Sequence, residues 1–217
     1  MKLYAISGLG ADQRVYQYLN IDYELIHLDW IRPIKNEGIT DYTMRLSQGI
    51  NTSEPFGIIG LSFGGLVAIE MSKQLDPKIT ILISSAETKY ELRSIYRLFG
   101  KTHLIKLAPL FCFNMPRKIA YFLFGAKNKK LLKEILDDAD MYFTKWAISK
   151  LITWENTAHI TNIIKLSGSE DKLLPPSKDE NTILIKGGEH FMIVDKSDEI
   201  SITINNYKKA EFEKQQS

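Results

Sequence analysis

The chain has 217 residues, 44% of them hydrophobic and 25% charged, with 28 Lys and Arg against 26 Asp and Glu, a formal net charge of +2. That apolar content excludes intrinsic disorder as the main state, and a charge balance so near neutral argues against a nucleic-acid binder held by phosphate neutralisation. The single cysteine, Cys112, rules out a disulfide framework and a cysteine-based metal cluster, and the length fits one domain with room for an insertion.

In chain order, the apolar run 3–7 reads as a strand ended by Gly8-Leu9-Gly10. It is too short for the core of a secretory signal, so a cytoplasmic location is expected. Residues 11–20 have helical spacing, 25–30 read as a second strand, and 41–50 read as a helix with Thr40 or Asp41 as N-cap. The run 56–61 is an uninterrupted apolar strand, 66–75 a helix closed by Asp76-Pro77, and 79–83 another apolar strand ending at Ser84-Ser85. Near-continuous apolar strands alternating with helices imply a parallel sheet covered on both faces. The pattern resumes with strands over 160–166 and 182–185 and a closing helix over 198–209, followed by a polar tail. Between them, residues 88–159 show no strand-like alternation. Leu92, Ile95 and Phe99, then Leu131, Leu132, Ile135 and Leu136, and then Trp146, Lys150 and Trp154 recur at helical intervals. About four helices are expected there, separated at Pro109, Pro116 and Gly125. The longest uncharged stretch, 55–69, is shorter than the roughly 18–20 residues that span a bilayer, so no membrane span is expected. The fold class is therefore α/β: a doubly wound, mostly parallel sheet of about six strands, residues 1–87 and 160–217, with an inserted helical region over 88–159.

Chemistry enters at Gly60-Leu61-Ser62-Phe63-Gly64-Gly65. A serine between an apolar strand and a helix sits on a sharp turn with its hydroxyl projecting outward, and the flanking glycines allow the close backbone approach this turn needs. The helix N-terminus favours the negative charge that develops in acyl transfer. The alternative for such a turn is a phosphate cradle, but no Gly-Lys-Ser/Thr follows.

A nucleophilic serine needs a base. Of the four histidines, His27 lies within a predicted strand, His103 on a helix of the insertion, and His159 just before a strand. His190 follows the strand 182–185 and Gly187-Gly188, which places it in a loop at the same sheet edge as Ser62, where catalytic groups gather in open α/β sheets. His159 is its main rival. A carboxylate must orient the base. Asp171 heads the turn after strand 160–166 and keeps the chain order Ser, acid, His; Glu170 and Glu87 are the alternatives.

With Ser62, Asp171 and His190 in view, the chain resembles the α/β-hydrolase superfamily from residue 3 to about 207, through Gly60 to Gly65, Gly168-Ser169-Glu170-Asp171-Lys172-Leu173-Leu174-Pro175, and Gly187-Gly188-Glu189-His190-Phe191. The insertion occupies the position of that superfamily's cap. The family's oxyanion loop resembles Ser7-Gly8-Leu9-Gly10, with Ser7 where a histidine is usual, and its leading antiparallel strands are not found ahead of the strand 3–7. The resemblance implies a serine hydrolase cleaving a small ester-type substrate through an acyl-enzyme. It assigns Ser62 as nucleophile, His190 as base, Asp171 as orienting acid, and the N–H groups of Leu9 and Phe63 as oxyanion donors. No cofactor, metal or nucleic-acid partner is implied. Phe111, Phe113, Phe122, Phe124, Phe143, Trp146 and Trp154 are candidates for an acyl pocket, with Phe143, Trp146 and Trp154 foremost; the alternative for each is a helix–helix core. Cys112 reads as a small hydrophobe and Lys127-Asn128-Lys129-Lys130 as a solvated loop.

Two other functions compete. A silent hydrolase-fold ligand binder or scaffold would keep the fold without turnover. A dinucleotide-binding oxidoreductase would use Gly8-Leu9-Gly10 and Asp29, but Gln13 stands where that fingerprint requires glycine.

Overall fold

The computed structural model describes residues 1–102, 104–177 and 179–214. His103, expected on a helix of the insertion, and the last three residues of the polar tail lie outside them.

Six strands form one parallel sheet: β1 (Lys2–Ile6), β2 (Glu24–His27), β3 (Phe56–Leu61), β4 (Ile79–Ile83), β5 (Ile163–Gly168) and β6 (Thr182–Ile185), in the order β2-β1-β3-β4-β5-β6. The expected bounds hold for β3, β4 and β6. β5 starts later and runs to Gly168, because Asn162 at φ 56 still belongs to the turn that feeds it. Every residue of β3, β4 and β5 is buried, which is what a sheet covered by helices on both faces requires. The core accordingly divides into two clusters, one on each face. The order in which successive strands are added reverses between β1 and β3, and the loops leaving the C-terminal ends of β1, β3, β5 and β6 converge there.

Helices α1 (Ile39–Leu46) and α2 (Phe63–Leu75) belong to the sheet domain, as do the short α7 (Met192–Asp195) and the closing α8 (Ser197–Lys214). The helix expected over 11–20 is instead a single 3-10 turn at Gln13–Val15 followed by further turns. Asp12 caps it by accepting the Arg14 amide and also binds the Arg14 guanidinium, while Tyr16 donates from its hydroxyl to the Ile6 carbonyl, 2.8 Å away. These bonds tie the segment to the end of β1 and leave no length for a regular helix. α1 starts two residues early, at Ile39, with Gly38 rather than Thr40 or Asp41 as N-cap.

Between β4 and β5 the chain makes four α-helices: α3 (Ser94–Lys101), α4 (Arg117–Phe124), α5 (Lys129–Asp138) and α6 (Met141–Ile152). All three expected breaks are used. Pro109 precedes a 3-10 turn at Leu110–Phe113, Pro116 caps α4, and Gly125 ends it at φ 61. α5 buries Leu131, Leu132 and Ile135 as its spacing implies. α3 does the reverse: Ile95 and Phe99 face solvent, and Gly100 packs on the carbonyl of Ile152. None of the described helices is long and apolar enough to cross a membrane.

Beneath the insertion lies a buried charge cluster that no motif announced. Lys165, in the middle of β5 and 1% exposed, points its ammonium at Glu87, Glu91 and Asp179. Glu87 also accepts the Ile160 amide at 2.8 Å and faces the exposed His159. Desolvation of the Lys165 ammonium is outweighed by these three carboxylates, which raise its pKa above the ordinary value.

Candidate active site

β3 delivers Ser62 to the start of α2 with backbone angles φ 50, ψ −120, a conformation L-residues rarely adopt. Two glycines make it possible. A Cβ on Gly60 would lie 2.5 Å from the Gly64 carbonyl oxygen, and one on Gly64 would lie 2.2 Å from that of Ser7. The strained peptide is clamped from β4: the Ser62 amide donates to Ile83 O at 2.9 Å, and Ser85 Oγ donates to Ser62 O at 2.7 Å. Ser85 thereby holds the Ser62 peptide in place, a contact outside the Gly60–Gly65 motif. Its only signal was a Ser-Ser pair at the C-terminal end of an apolar strand.

The loops after β5 and β6 bring the other two groups to Ser62. His190 Nε2 lies 2.9 Å from Ser62 Oγ, and His190 Nδ1 lies 2.8 Å from Asp171 Oδ2. The loops fit closely enough that a Cβ on Gly168 would meet the Gly188 carbonyl at 2.3 Å, and the Glu170 amide donates to that same carbonyl at 2.9 Å. Asp171 spends its second oxygen on the amides of Leu173 and Leu174, at 2.8 and 2.9 Å. Burial pushes its carboxyl pKa up, but the hydrogen bonds from His190 and the two amides outweigh burial and hold it below the usual carboxylate range. An ionised carboxylate only accepts, so Nδ1 must carry the proton and Nε2 is left to accept from the Ser62 hydroxyl. Phe124, at the end of α4, packs edge-on against the imidazole with ring centroids 5.4 Å apart, and its carbonyl accepts the Phe191 amide.

The other sequence candidates fall elsewhere. Glu170 is exposed, and Glu87 is committed to Lys165 and Ile160. His159 stands in solvent beside Glu87, and His27 is bound to Asp29.

The loop Ser7 to Ala11 runs beside Ser62, and a Cβ on Gly8 would touch the Ser62 Cβ at 3.6 Å. Where the family resemblance leads one to expect histidine, Ser7 is fully buried and donates to the Ala11 carbonyl at 2.6 Å. The Ala11 amide returns to Gly8 O at 3.0 Å, and Trp30 Nε1 donates to the same oxygen at 3.3 Å. Leu9 is thus held at the tip of a pinned loop. Phe63, the first residue of α2, has an amide for which the helix itself supplies no acceptor. The helix expected after β1 is absent, so no helix N-terminus stands behind Gly8-Leu9-Gly10 to receive a pyrophosphate, and the dinucleotide reading loses its physical basis.

Of the three foremost pocket aromatics, two gather near this site. Phe143 packs on Trp30, Tyr42, Phe63 and Trp146, with the Trp30 ring 4.8 Å away. It also lines a cavity of about 390 Å³ between Gly10 to Asp12, the loop after β2, and the junction of α5 and α6. Trp146 stacks on Tyr42 at 4.4 Å and donates to Glu37 O. Trp154 is a correction to the pocket expectation. It is 3% exposed, and its indole N–H is spent on buried Glu70 in α2, so it fastens the end of the insertion to the sheet domain. Phe111 and Phe122 also depart from a pocket role, because their rings face solvent. Cys112, expected as a buried hydrophobe, is exposed.

No family model and no curated protein matches the chain. Solved structures do. A lipase-esterase related protein from Clostridium acetobutylicum is 16% identical with a TM-score of 0.65, over 94% of this chain and 93% of that one. A thermophilic esterase from Thermogutta terrifontis is 12% identical with a TM-score of 0.70, over 97% and 90%. MenH from S. aureus is 17% identical with a TM-score of 0.68, over 97% and 94%. The sheet order, the serine turn after β3 and these superpositions agree: the chain has the α/β-hydrolase fold.

Proposed function

We propose that the protein is a serine hydrolase that cleaves a small ester-type substrate through an acyl-enzyme. The observation that carries this reading is the unbroken chain of hydrogen-bond distances from Ser62 Oγ through His190 to Asp171. Ser62 attacks the substrate carbonyl while His190 Nε2 takes its proton. The amides of Leu9 and Phe63 receive the oxyanion, each worth roughly 10²–10³ in rate. The intermediate collapses as His190 returns the proton to the departing alcohol. Water then gives its proton to His190, attacks the acyl carbon, and releases the acid as the proton returns to Ser62. Asp171 fixes the imidazole tautomer and stabilises the imidazolium formed in both steps.

In this reading residues 1–87 and 160–217 are the catalytic domain and 88–159 a cap. Phe143, in contact with Phe63 and Trp146, supplies apolar surface beside the nucleophile turn for a small acyl group. That a lipase-esterase related protein and a thermophilic esterase share this fold supports the reaction class. The test is labelling with a fluorophosphonate probe, together with turnover of p-nitrophenyl esters of increasing chain length. Wild type should label and hydrolyse the short esters; Ser62→Ala should do neither. A folded wild type that shows no Ser62-dependent label would refute the proposal and favour a silent binding protein.

A further inference from the structure

The net charge of +2 conceals a sharp partition. Residues 92–133 carry ten Lys and Arg and no Asp or Glu, leaving 18 Lys and Arg against 26 Asp and Glu in the rest of the chain. This stretch comprises α3, α4, the start of α5 and the segment joining them. It also holds nine of the eighteen exposed large hydrophobic side chains among the described residues. Leu98 and Phe99 stand one turn from Ile95 on the outer side of α3. Leu107 is 82% exposed and Phe111 77%, and Ile119 and Phe122 lie one turn apart on the outer side of α4. Lys101, Lys118, Lys127, Lys129 and Lys130 are exposed in the same region. An apolar surface this dense is unusual on a monomer and marks a contact.

We propose that this outer face of the insertion docks on an anionic lipid surface. Apolar side chains interspersed with an excess of cations, of which Arg117 and Lys133 are paired with Asp137, are the composition by which an amphipathic surface sinks its apolar atoms below negatively charged headgroups. Charge decides against the other occupants. A second copy docking through the same patch would set the exposed Lys101, Lys118, Lys127, Lys129 and Lys130 against their own copies, since a two-fold contact pairs a surface with itself. A polyanion such as RNA would explain the lysines but leave Leu107 and Phe111 in water. The placement also joins the face to the site: α4, which exposes Ile119 and Phe122, ends at Phe124 against the His190 ring. A docked molecule would present the site's rim to the bilayer. The inference concerns binding and stands independently of whether Ser62 turns over a substrate.

The test is co-sedimentation of the full chain with vesicles of phosphatidylcholine alone or of equal parts phosphatidylcholine and phosphatidylglycerol. The anionic vesicles should bind at least about tenfold more protein, and raising NaCl to about 0.5 M should release most of it. Leu107→Glu combined with Phe111→Glu should lower binding about tenfold, and Lys118→Glu combined with Lys130→Glu should do likewise, with unchanged circular dichroism and unchanged fluorophosphonate labelling. Equal binding to both vesicle types, no binding to either, or binding that survives both double variants would overturn the proposal. So would a concentration-dependent dimer in sedimentation that the Leu107→Glu, Phe111→Glu variant dissolves, which would assign the face to a second copy. Because binding is read without turnover, a negative result here leaves the hydrolase proposal standing, and an inactive but vesicle-bound protein would do the reverse.

Discussion

Along the C-terminal edge of the sheet, polar side chains are buried and committed. Asp171 accepts from His190, Leu173 and Leu174, Ser85 holds the Ser62 carbonyl, and Ser7 closes the loop before Leu9. Across the outer face of the insertion the reverse holds: large apolar side chains such as Leu107 and Phe111 stand in water. Both arrangements run against the usual partition of polar and apolar groups. At the sheet edge the exception is stabilised by hydrogen bonds, so it is costly to disturb. On the insertion Leu107 and Phe111 are more than three-quarters exposed, so substitutions there should cost the fold little and any penalty should appear in binding. Mutations that separate those two costs are the way to break the comparison.

The largest effect is expected at the sheet edge. Asp171→Asn leaves the shape of the group but removes the acceptor that fixes the imidazole tautomer, and turnover should fall by about 10⁴ with KM little changed. The same variant carries a pH signature. Because the folded-state pKa of Asp171 is depressed, its contribution to stability is fully present above the unfolded carboxylate value and is lost as pH falls through the folded value. Wild type should therefore lose stability more steeply than Asp171→Asn in urea melts taken from about pH 5 downward. Parallel acid limbs would show that Asp171 is not held by His190 in solution.

Next comes the Lys165 cluster, where stability and catalysis should separate. Lys165→Met removes the cation shared by Glu87, Glu91 and Asp179; leaving the buried Glu87 carboxylate unpaired should cost about 3 kcal/mol, with little added by the partly exposed Glu91 and Asp179. The cluster does not touch Ser62 or His190, so fluorophosphonate labelling per folded molecule should be unchanged at a temperature where the variant is folded. A variant as stable as wild type would mean that the carboxylates find protons or water at no cost.

This cluster also marks how far a sequence can be read. Strands β3 and β4 were legible to the residue because buried parallel strands leave unbroken apolar runs. The edge strand β6 kept such a run even though Ile183 and Leu184 are exposed, and the groups meeting at the strands' C-terminal ends were legible because strand-end loops must converge there. Lys165 was not legible. A lysine inside an apolar run carries no sign of which carboxylates will close on it from residues 87, 91 and 179. In the insertion, helical spacing located α3, α5 and α6 but did not say which side of α3 would face inward. Ile95 and Phe99 turn out to face solvent, whereas Gly100 supplies the contact because only a residue without Cβ allows the backbone of α6 so near. Trp154 was misjudged for a related reason: its buried partner, Glu70, lies 84 positions away in sequence.

The smallest effects belong to two adjacent residues of α3, and they test the comparison within a single helical turn. On propensity alone, Gly100→Ala should stabilise α3 by about 0.5–1 kcal/mol. The structure reverses the sign. A Cβ there would lie 2.0 Å from the Ile152 carbonyl oxygen, which is backbone and cannot swing aside, so α3 must shift away from α6 at a net cost of about 1–3 kcal/mol. One position earlier, Phe99→Ser removes an entire phenyl ring, yet that ring is more than half exposed and faces away from the contact, so the change should stay within about 0.5 kcal/mol. Urea denaturation of both variants decides the matter. If Phe99→Ser proves the more damaging, the outer face of the insertion is packed against something in solution even without lipid, and the contrast between a committed sheet edge and an uncommitted insertion surface fails.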